Sequence, residues 1–379
     1  MAPIRVGLIG LTIGDGKSLG NGAWGIAAHL PTYINSPNYE IVALCNSSVD
    51  AAKQSIAHHK LPATTKAYGS PEDIANDPDV DLVVVSVHVS RHHLLALPAL
   101  KAKKQVFCEW PLGATTAEAE EMAQLAKGLK VVTGLQFRAD PLITKAKQLV
   151  DSGAIGQVTS TTATGCFNNY PADTWNAKAD YFLNFKGGAN EYTISFAHFL
   201  DSFRYIVGDF ASLQSVLDIQ YPSVKLIDFA TGEVTDPAHQ KTSPDHIFVN
   251  GKLESGAVAS LSFRKVTKTV DGKGLRWLIS GTKGELEITI DGPNYQMDIA
   301  KKQLRLVDNS VGVTQEIDFT DAQELAYVKS VPAMGQNTSR LCEKYVAASA
   351  EVANFDDALK LHHLLDKIAA AANYPYKAY

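Results

Sequence analysis

Short apolar runs alternate with helical patterns along the first 135 residues of the chain. The apolar runs predict strands at residues 4–10, 40–45, 82–87, 105–108 and 130–133. The segments between them predict helices at residues 24–33, 49–59, 92–103 and 116–127. Strands that are apolar on both faces and separated by helices are typical of a parallel sheet covered on both sides. The pattern therefore predicts a doubly wound α/β domain, with its ligand beyond the carboxyl ends of the strands.

The pattern changes after residue 140. Helices are predicted at residues 142–150, 189–206 and 345–373, and a strand at 155–164. In the second of these helices, the spacing of the apolar residues places four on one side: Phe196, Phe199, Leu200 and Phe203. Residues 213–306 form short β-rich runs separated by turn signals, which is typical of an antiparallel sheet. We therefore predict a Rossmann domain at residues 1–136 and an α+β domain with a large, open, mainly antiparallel sheet at 137–379. The last helix is free to pack back toward the first domain.

Composition narrows the class of protein. A length of 379 residues suggests two or three domains, and the formal net charge is −5, without the basic surface that nucleic-acid binding needs. No apolar run approaches the length of a membrane span, and the N-terminus does not resemble a signal peptide. The four cysteines lie far apart and form no metal-ligand spacing, and the pair His92-His93 has no third ligand nearby. We therefore expect a cytoplasmic protein without metal, membrane or nucleic-acid partners.

A glycine-rich loop follows the first predicted strand. Gly10 closes that strand, and further glycines follow at positions 14, 16, 20, 22 and 25. A dinucleotide fold needs a tight turn here, so that backbone N–H groups face a pyrophosphate. Thr12 occupies the position where the dinucleotide-binding motif usually has its second glycine. The alternative interpretation is therefore a flexible surface loop that binds no ligand. A P-loop is disfavoured because the leading glycine of that motif is missing.

Small polar residues follow the second predicted strand. NAD-binding folds usually place an acidic residue there to accept the ribose hydroxyls, whereas this chain has Asn46, Ser47 and Ser48. Without a carboxylate, nothing repels the 2′-phosphate of NADP, but no arginine follows directly to bind it. NAD and NADP therefore both stay open, and the residues favour NADP slightly.

Several segments resemble one enzyme family. They are residues 82–92, 105–112, 134–141, 152–156, 187–201, 280–285 and 357–362. Together they resemble the Gfo/Idh/MocA oxidoreductases over nearly the whole chain. Within that family the chain is most similar to the branch that contains the yeast galactose-pathway repressor. The signs are Glu109-Trp110, Gln136, residues 244–246 and the small polar run after the second strand.

The resemblance implies an NAD(P) cofactor, a small-molecule substrate and a homodimer or tetramer formed through the C-terminal sheet. It implies these cofactor-binding residues: Gly10, Thr12, Asn46, Ser47, Ser48, Ser86, Val87, His88, His92, Glu109, Trp110 and Gln136. It implies these substrate-binding residues: Arg138, Asn168, Tyr170, Trp175, Tyr181 and His198. Structural roles stay open for several of them, since aromatic residues are often core, His88 could end a strand and Arg138 could pair with Asp140.

The chain departs from the family at the residues that move a proton. The family's usual lysine after the fifth strand is replaced by Trp110, and its usual aspartate, one turn before His198, is replaced by Ile194. His198 is then the expected proton relay, with Trp110 in the lysine position and Tyr192 or water replacing that group. His198 could instead pair structurally with Asp201.

Two functions follow from these departures. The first is an NAD(P)-dependent oxidoreductase acting on a hydroxyl, carbonyl or imine of a small, polar, sugar-like molecule. The second is a catalytically silent NAD(P)-binding regulator with a protein partner, which would also allow a nuclear location. The pair His362-His363 is interpreted as the solvated face of the last helix.

Overall fold

Six parallel strands form the first sheet. In the computed structural model, which describes residues 2–14, 23–349 and 351–374, the strand order is β3-β2-β1-β4-β5-β6. The strands are β1 (Ile4–Ile9), β2 (Tyr39–Cys45), β3 (Lys66–Tyr68), β4 (Leu82–Val85), β5 (Gln105–Cys108) and β6 (Val131–Thr133). The predicted doubly wound sheet is confirmed, although β3 was not predicted because Lys66–Tyr68, an exposed to half-buried strand at the edge of the sheet, forms no apolar run. The strand order reverses between β1 and β4, where such sheets bind ligands.

Five helices accompany this sheet. They are α1 (Leu30–Asn35), α2 (Val49–His58), α3 (Pro71–Asn76), α4 (His92–Lys101) and α5 (Thr116–Leu125). Hydroxyl side chains cap three of their N-termini, since Ser48, Ser70 and Thr115 accept hydrogen bonds from the first turns of α2, α3 and α5. A π-helical segment, Gly25–His29, precedes α1.

The second sheet has eight strands in the order β17-β16-β15-β14-β7-β13-β12-β9. They are β7 (Val158–Phe167), β9 (Phe210–Asp218), β12 (His246–Leu253), β13 (Val258–Lys265), β14 (Lys273–Gly281), β15 (Gly284–Asp291), β16 (Lys302–Asp308) and β17 (Thr314–Glu316). Only the β7–β13 pairing is parallel among the described strands of this sheet, which confirms the predicted mainly antiparallel sheet. A separate small sheet contains β8 (Thr174–Asn176), β10 (Ser223–Asp228) and β11 (Glu233–Gln240).

Helices α6 (Pro141–Asp151) and α7 (Ala197–Val207) accompany the second sheet, and a second π-helical segment, Glu191–Phe196, leads into α7. The predicted apolar side of this region is confirmed, because the four residues named above are all fully buried. The ring of Phe199 lies 4.8 Å from that of Phe263 on β13 and 5.2 Å from that of Trp277 on β14. These contacts join α7 to the middle of the sheet and form the core of this part of the chain.

The chain forms two compact units. The first contains Met1–Ala139 and Glu324–His363, and the second contains Asp140–Gln323 and Leu364–Lys377. The predicted single tail helix is wrong, because α8 (Gln336–Val346) and α9 (Phe355–Ala371) are separate. Ala348 adopts a positive φ of 52° after α8, and the Asn354 side chain accepts a hydrogen bond from the Asp357 N–H at the start of α9. No helix in the described ranges is long and apolar enough to cross a membrane.

Candidate functional site

A cavity of about 560 Å³ lies at the carboxyl ends of β1, β2 and β4 in the first unit. Seven of the predicted cofactor-binding residues line it: Gly10, Thr12, Asn46, Ser47, Ser86, Val87 and His88. Ten residues that the sequence did not single out also line it: Ile9, Ile13, Cys45, Ala51, Gln54, Ser55, Gly69, Pro71, Arg91 and Leu95. The remaining predicted cofactor residues do not line this cavity: Ser48, His92, Glu109, Trp110 and Gln136.

The turn after β1 requires a glycine at position 10. Gly10 has a φ of +102°, and a Cβ there would lie 2.4 Å from the Ser86 carbonyl oxygen and 2.5 Å from Cγ1 of Val87. A side chain would therefore clash with the residues that follow β4 and strain the backbone. Three glycines of the predicted loop, Gly16, Gly20 and Gly22, lie outside the described residues.

The small polar residues after β2 have separate roles. The Asn46 amide donates to the Leu11 carbonyl at 2.9 Å and to the Ser55 hydroxyl at 3.0 Å, which ties the loop after β1 to α2. Ser48 caps α2 by accepting from the Ala51 N–H at 3.1 Å. Ser47 is exposed and lines the cavity, so its hydroxyl is the group in this run that is placed for a ligand.

Two histidines follow β4, and only one lines the cavity. His88 Nδ1 lies 2.9 Å from the Ser90 hydroxyl, and burial lowers the pKa of His88. His92 is buried, with Nδ1 2.7 Å from the Pro111 carbonyl oxygen and Nε2 3.1 Å from that of Val87. Burial lowers the pKa of His92, although the two carbonyls oppose this shift. His92 therefore links the loop after β4 to the loop after β5 through these two carbonyl groups.

A second polar group surrounds Glu109 at the end of β5. Its Oε1 accepts from the Trp24 indole N–H at 3.0 Å and lies 2.5 Å from Nε2 of His29. A Cβ on Gly134 would lie 2.2 Å from the other carboxylate oxygen, so any side chain at this position would have to displace the carboxylate. His29 is fully buried, and its Nδ1 has no hydrogen-bond partner within the described ranges. The carboxylate of Glu109 is therefore fixed in place.

The sequence did not point to Trp24 or His29. The two residues are five apart in the sequence, and an α-helix would place them about 140° apart around its axis. A helical pattern therefore gives no reason to expect that they meet. The π-helical segment Gly25–His29 has i→i+5 hydrogen bonds, so its turn is wider. Both side chains consequently reach the same carboxylate oxygen.

Trp110 packs against His362 of α9. Their ring centroids lie 4.8 Å apart, and both residues are buried. Burial lowers the pKa of His362 to about 3, and Nε2 of this ring has no hydrogen-bond partner among the described residues. The interpretation of His362 as solvated is therefore wrong, whereas the side chain of His363 is about half exposed and lies near Glu120.

Gln136 and Arg138 follow β6 and are both buried. Oε1 of Gln136 has no hydrogen-bond partner in the described part of the chain. Arg138 forms an ion pair with Asp357, with Nη1 and Oδ2 3.5 Å apart. Asp140 caps α6 through the Leu142 N–H at 3.0 Å and also contacts Lys302.

The second unit contains the remaining predicted residues. His198 lies on α7 and is buried. The hydroxyl of Tyr192 is buried and donates to the Leu365 carbonyl at 2.6 Å, a structural hydrogen bond. Asn168 lies next to Cys166, whose thiol donates to the Asn168 side-chain oxygen at 3.4 Å.

The structure brings two of the predicted aromatic residues together. The rings of Tyr170 and Trp175 lie 5.1 Å apart in an edge-to-face arrangement. The indole N–H of Trp175 donates to the Ala179 carbonyl at 2.7 Å. Burial raises the pKa of Tyr181, whose ring contacts that of Phe182. These aromatic residues form a cluster around β8 and the short helical turn that follows it.

Four charged side chains lie buried together in the second unit. Lys265 Nζ lies 3.0 Å from Oε1 of Glu191, and Lys241 Nζ lies 3.4 Å from its Oε2 and 3.2 Å from Oδ2 of Asp245. Burial would raise the pKa of Asp245, but Lys241, His246 and backbone N–H groups hold it below its usual range. We call Glu191, Lys241, Asp245 and Lys265 the buried charge cluster.

Metal ligation finds no support in the described ranges, where no three His, Cys, Asp or Glu side chains are grouped to hold an ion. His93 instead forms an ion pair with Glu121, with a nitrogen–oxygen distance of 2.8 Å.

Comparisons with known proteins identify both parts of the chain. Residues 4–137 match the oxidoreductase family with an NAD-binding Rossmann fold, and residues 141–290 match the C-terminal domain of Gal80p. The structure is similar to that of a super-repressor mutant of Gal80p from Saccharomyces cerevisiae, with a TM-score of 0.82 and 25% sequence identity. The similarity covers 98% of this chain and 96% of that one.

Two relatives differ in the share of their length that is matched. The chain is 33% identical to the galactose/lactose metabolism regulatory protein GAL80 of Kluyveromyces lactis over 76% of its residues, which spans only 64% of that regulator. It is 32% identical to the dehydrogenase aclE of Aspergillus oryzae over 80% of its residues, which spans 81% of that protein. The chain therefore belongs to the Gfo/Idh/MocA oxidoreductase family, with an NAD(P)-binding Rossmann domain and a C-terminal domain of the Gal80p type.

Proposed function

We propose that this protein is an NAD(P)-dependent oxidoreductase acting on a hydroxyl, carbonyl or imine of a small, polar, sugar-like molecule. The observation that carries the proposal is the cavity at the carboxyl ends of β1, β2 and β4. Gly10 and Thr12 of the turn after β1 line this cavity, so the backbone of the turn borders the space in which a ligand would lie. A dinucleotide pyrophosphate needs a close approach to backbone N–H groups.

The residues of the first unit fit an NAD(P) cofactor. Gly10 and Thr12 would hold the pyrophosphate, and Ser47 would bind the adenosine ribose. Glu109, fixed by Trp24 and His29, would accept a hydrogen bond from the second ribose. The unpartnered oxygen of Gln136 is a further buried acceptor for the cofactor. When bound, the nicotinamide would give or take a hydride at the substrate carbon.

The chain's own part in the reaction is to bind substrate and move the accompanying proton. Trp110 has no titratable proton, and the hydroxyl of Tyr192 already donates to the Leu365 carbonyl. His198 is therefore proposed as the proton relay, because an imidazole titrates near neutral pH. The aromatic cluster of Tyr170, Trp175 and Tyr181, with Asn168 and Arg138, remains the predicted substrate-binding set.

The match to the Aspergillus oryzae dehydrogenase supports an enzyme, because it spans 81% of that protein against 64% of the Kluyveromyces lactis regulator. A regulator that binds NAD(P) without turnover is the second candidate. The packing of Trp110 on a neutral His362 favours it, because position 110 then supplies neither acid nor base. For either function we propose a homodimer or tetramer formed through the eight-stranded sheet, and a regulator would in addition bind a protein partner.

Turnover and binding together test the proposal. Purified protein is mixed with NADPH or NADH and a panel of sugars, aldehydes and cyclic imines, while the reduced-nicotinamide absorbance is followed and cofactor affinity is measured by calorimetry. We expect turnover that His198→Gln lowers at least about 100-fold with unchanged cofactor affinity, as for loss of a general acid or base. His239→Gln on β11 is the control, and its turnover should match the wild type.

Three results would each contradict a part of this proposal. Cofactor binding without turnover on any substrate would favour the regulator. Full activity in His198→Gln would remove His198 from the mechanism. Absence of binding of either cofactor would contradict both candidate functions.

A further inference from the structure

We propose that this protein prefers NADP to NAD, and that Arg91 provides the positive charge that holds the 2′-phosphate. The inference rests on the proposed cofactor function and adds its specificity. Arg91 lies in the helical turn Val89–Arg91 between β4 and α4 and lines the same cavity as Ser47. The positive charge of Arg91 therefore comes from the end of β4. An arginine that binds the 2′-phosphate is usually sought after β2, on the opposite wall of the cavity.

The lining of the cavity contains no carboxylate among its described residues. An acidic residue after β2 would accept the ribose hydroxyls of NAD and repel a 2′-phosphate. This position is instead Ser47, which is exposed and can donate a hydrogen bond to a phosphate oxygen. The wall after β2 therefore admits a phosphate without repelling it.

Arg91 is the charged residue of this lining at neutral pH. Burial lowers the pKa of His88 and raises that of Cys45 to about 11, so both side chains are neutral there. A guanidinium stays protonated and presents a planar set of donors that matches phosphate oxygens. One full positive charge consequently faces a site that has no acidic wall.

The Arg91 side chain is also available for a ligand. Six of the eight arginines form ion pairs with acidic residues: Arg5, Arg138, Arg204, Arg276, Arg305 and Arg340. Arg91 is exposed, and its guanidinium has neither an ion pair nor a hydrogen bond to any residue that the structure describes. Arg264 on β13 is the other arginine without a described ion pair, and it serves as the matched control.

Nearby acidic residues oppose anion binding. Asp50 lies in the first turn of α2, and Glu72 and Asp73 lie in the first turn of α3, but none of the three lines the cavity. Their charges lower the affinity for any nucleotide, and Arg91 offsets them on the opposite wall. NADPH binding should consequently weaken more steeply with added salt than NADH binding.

Calorimetric dissociation constants for NADPH and NADH test the proposal without any substrate. We expect wild-type protein to bind NADPH at least tenfold more tightly than NADH. Arg91→Ala should weaken NADPH binding about tenfold or more, as for loss of a charged hydrogen bond, and NADH binding less than threefold. Arg91→Lys should retain part of the preference, and Arg264→Ala should leave both constants unchanged.

A second variant adds a negative charge to the opposite wall. Ser47→Asp should weaken NADPH binding and leave NADH binding equal or tighter. Ser47 and Arg91 are both exposed, and circular dichroism checks that each variant is folded. Equal loss of both nucleotides in Arg91→Ala would place Arg91 on the adenine and overturn the proposal, as would a wild-type preference for NADH. If wild-type protein bound neither nucleotide, the proposed function itself would fail.

Discussion

The buried charge cluster gives a sharp prediction for the second unit. Its side chains are at most 2% exposed and balance two lysines against two carboxylates. Replacing Glu191 by glutamine keeps the size of the side chain but removes one negative charge. Lys265 then faces a neutral amide and the ring of Trp175, 4.7 Å from its Nζ.

The cost follows from the geometry of the ion pair. At the 3.0 Å distance between Lys265 Nζ and Glu191 Oε1, two unit charges attract by about 5 kcal/mol at an effective dielectric constant of ~20. Breaking a buried ion pair by removing one partner typically costs about 3–5 kcal/mol. We therefore expect Glu191→Gln to lower the free energy of unfolding of the second unit by about 3–5 kcal/mol at pH 7.

The loss should depend on pH. Burial already lowers the pKa of Lys265 and Glu191 opposes that shift, so its removal lowers the pKa further. Between this lowered pKa and the ordinary lysine value of ~10.4, the unfolded variant binds more protons than the folded one. Its stability therefore rises with pH, by at most about 1.4 kcal/mol per unit, and the deficit against wild type should shrink from pH 7 to pH 9.

Urea unfolding followed by tryptophan fluorescence and circular dichroism measures the effect, and Trp175 reports directly on the cluster. Glu233→Gln, on an exposed position of β11, should change stability by less than about 0.5 kcal/mol. The double variant Glu191→Gln, Lys265→Met leaves Lys241 and Asp245 balanced and should recover most of the loss. A cost below about 1 kcal/mol, or a double variant no more stable than the single one, would refute the reasoning.

Two further predictions concern the first unit. Gly134→Ala should displace the Glu109 carboxylate, lower stability by about 1–3 kcal/mol in melting experiments and weaken cofactor binding in calorimetry. Gly187→Ala is the control and should be nearly neutral in both experiments, because its Cβ would lie no closer than 3.5 Å to any atom beyond its chain neighbours. Trp110→Lys, which restores the family's usual residue, should cost at least about 3 kcal/mol in urea unfolding, because it removes the packing on His362 and buries an ammonium group. Equal stability of the lysine variant and wild type would contradict this.

The fold of the first unit could be predicted because its strands are buried on both faces. All four residues of β4 are apolar and nearly inaccessible, so the run from Leu82 to Val85 has no polar alternation. The elements β3 and α3 were not predicted, since Lys66–Tyr68 and Pro71–Asn76 contain neither an apolar run nor a helical period. The break between α8 and α9 depends on a positive φ at Ala348, and alanine does not signal such a conformation.

The candidate site was predictable where backbone geometry sets the residue type. Gly10 is required by the contact with β4, and Ser47 follows directly from its place after β2. Arg91 was not predictable from local sequence, because it reaches the cavity from a different strand end. Trp24 and His29 meet at Glu109 only because a π-helical turn spaces them, and that turn has no recognised sequence signal.

The two candidate functions need the same cavity but different proton chemistry. Trp110 cannot titrate, and burial holds His362 beside it neutral, with a pKa of about 3. Position 110 therefore supplies neither an acid nor a base near pH 7, where the family's usual lysine would. The proton that accompanies a hydride must then come from His198, from water or from the substrate itself. Cofactor binding is consequently expected of both an enzyme and a regulator. Turnover distinguishes the two functions, and its loss in His198→Gln would identify His198 as the proton relay.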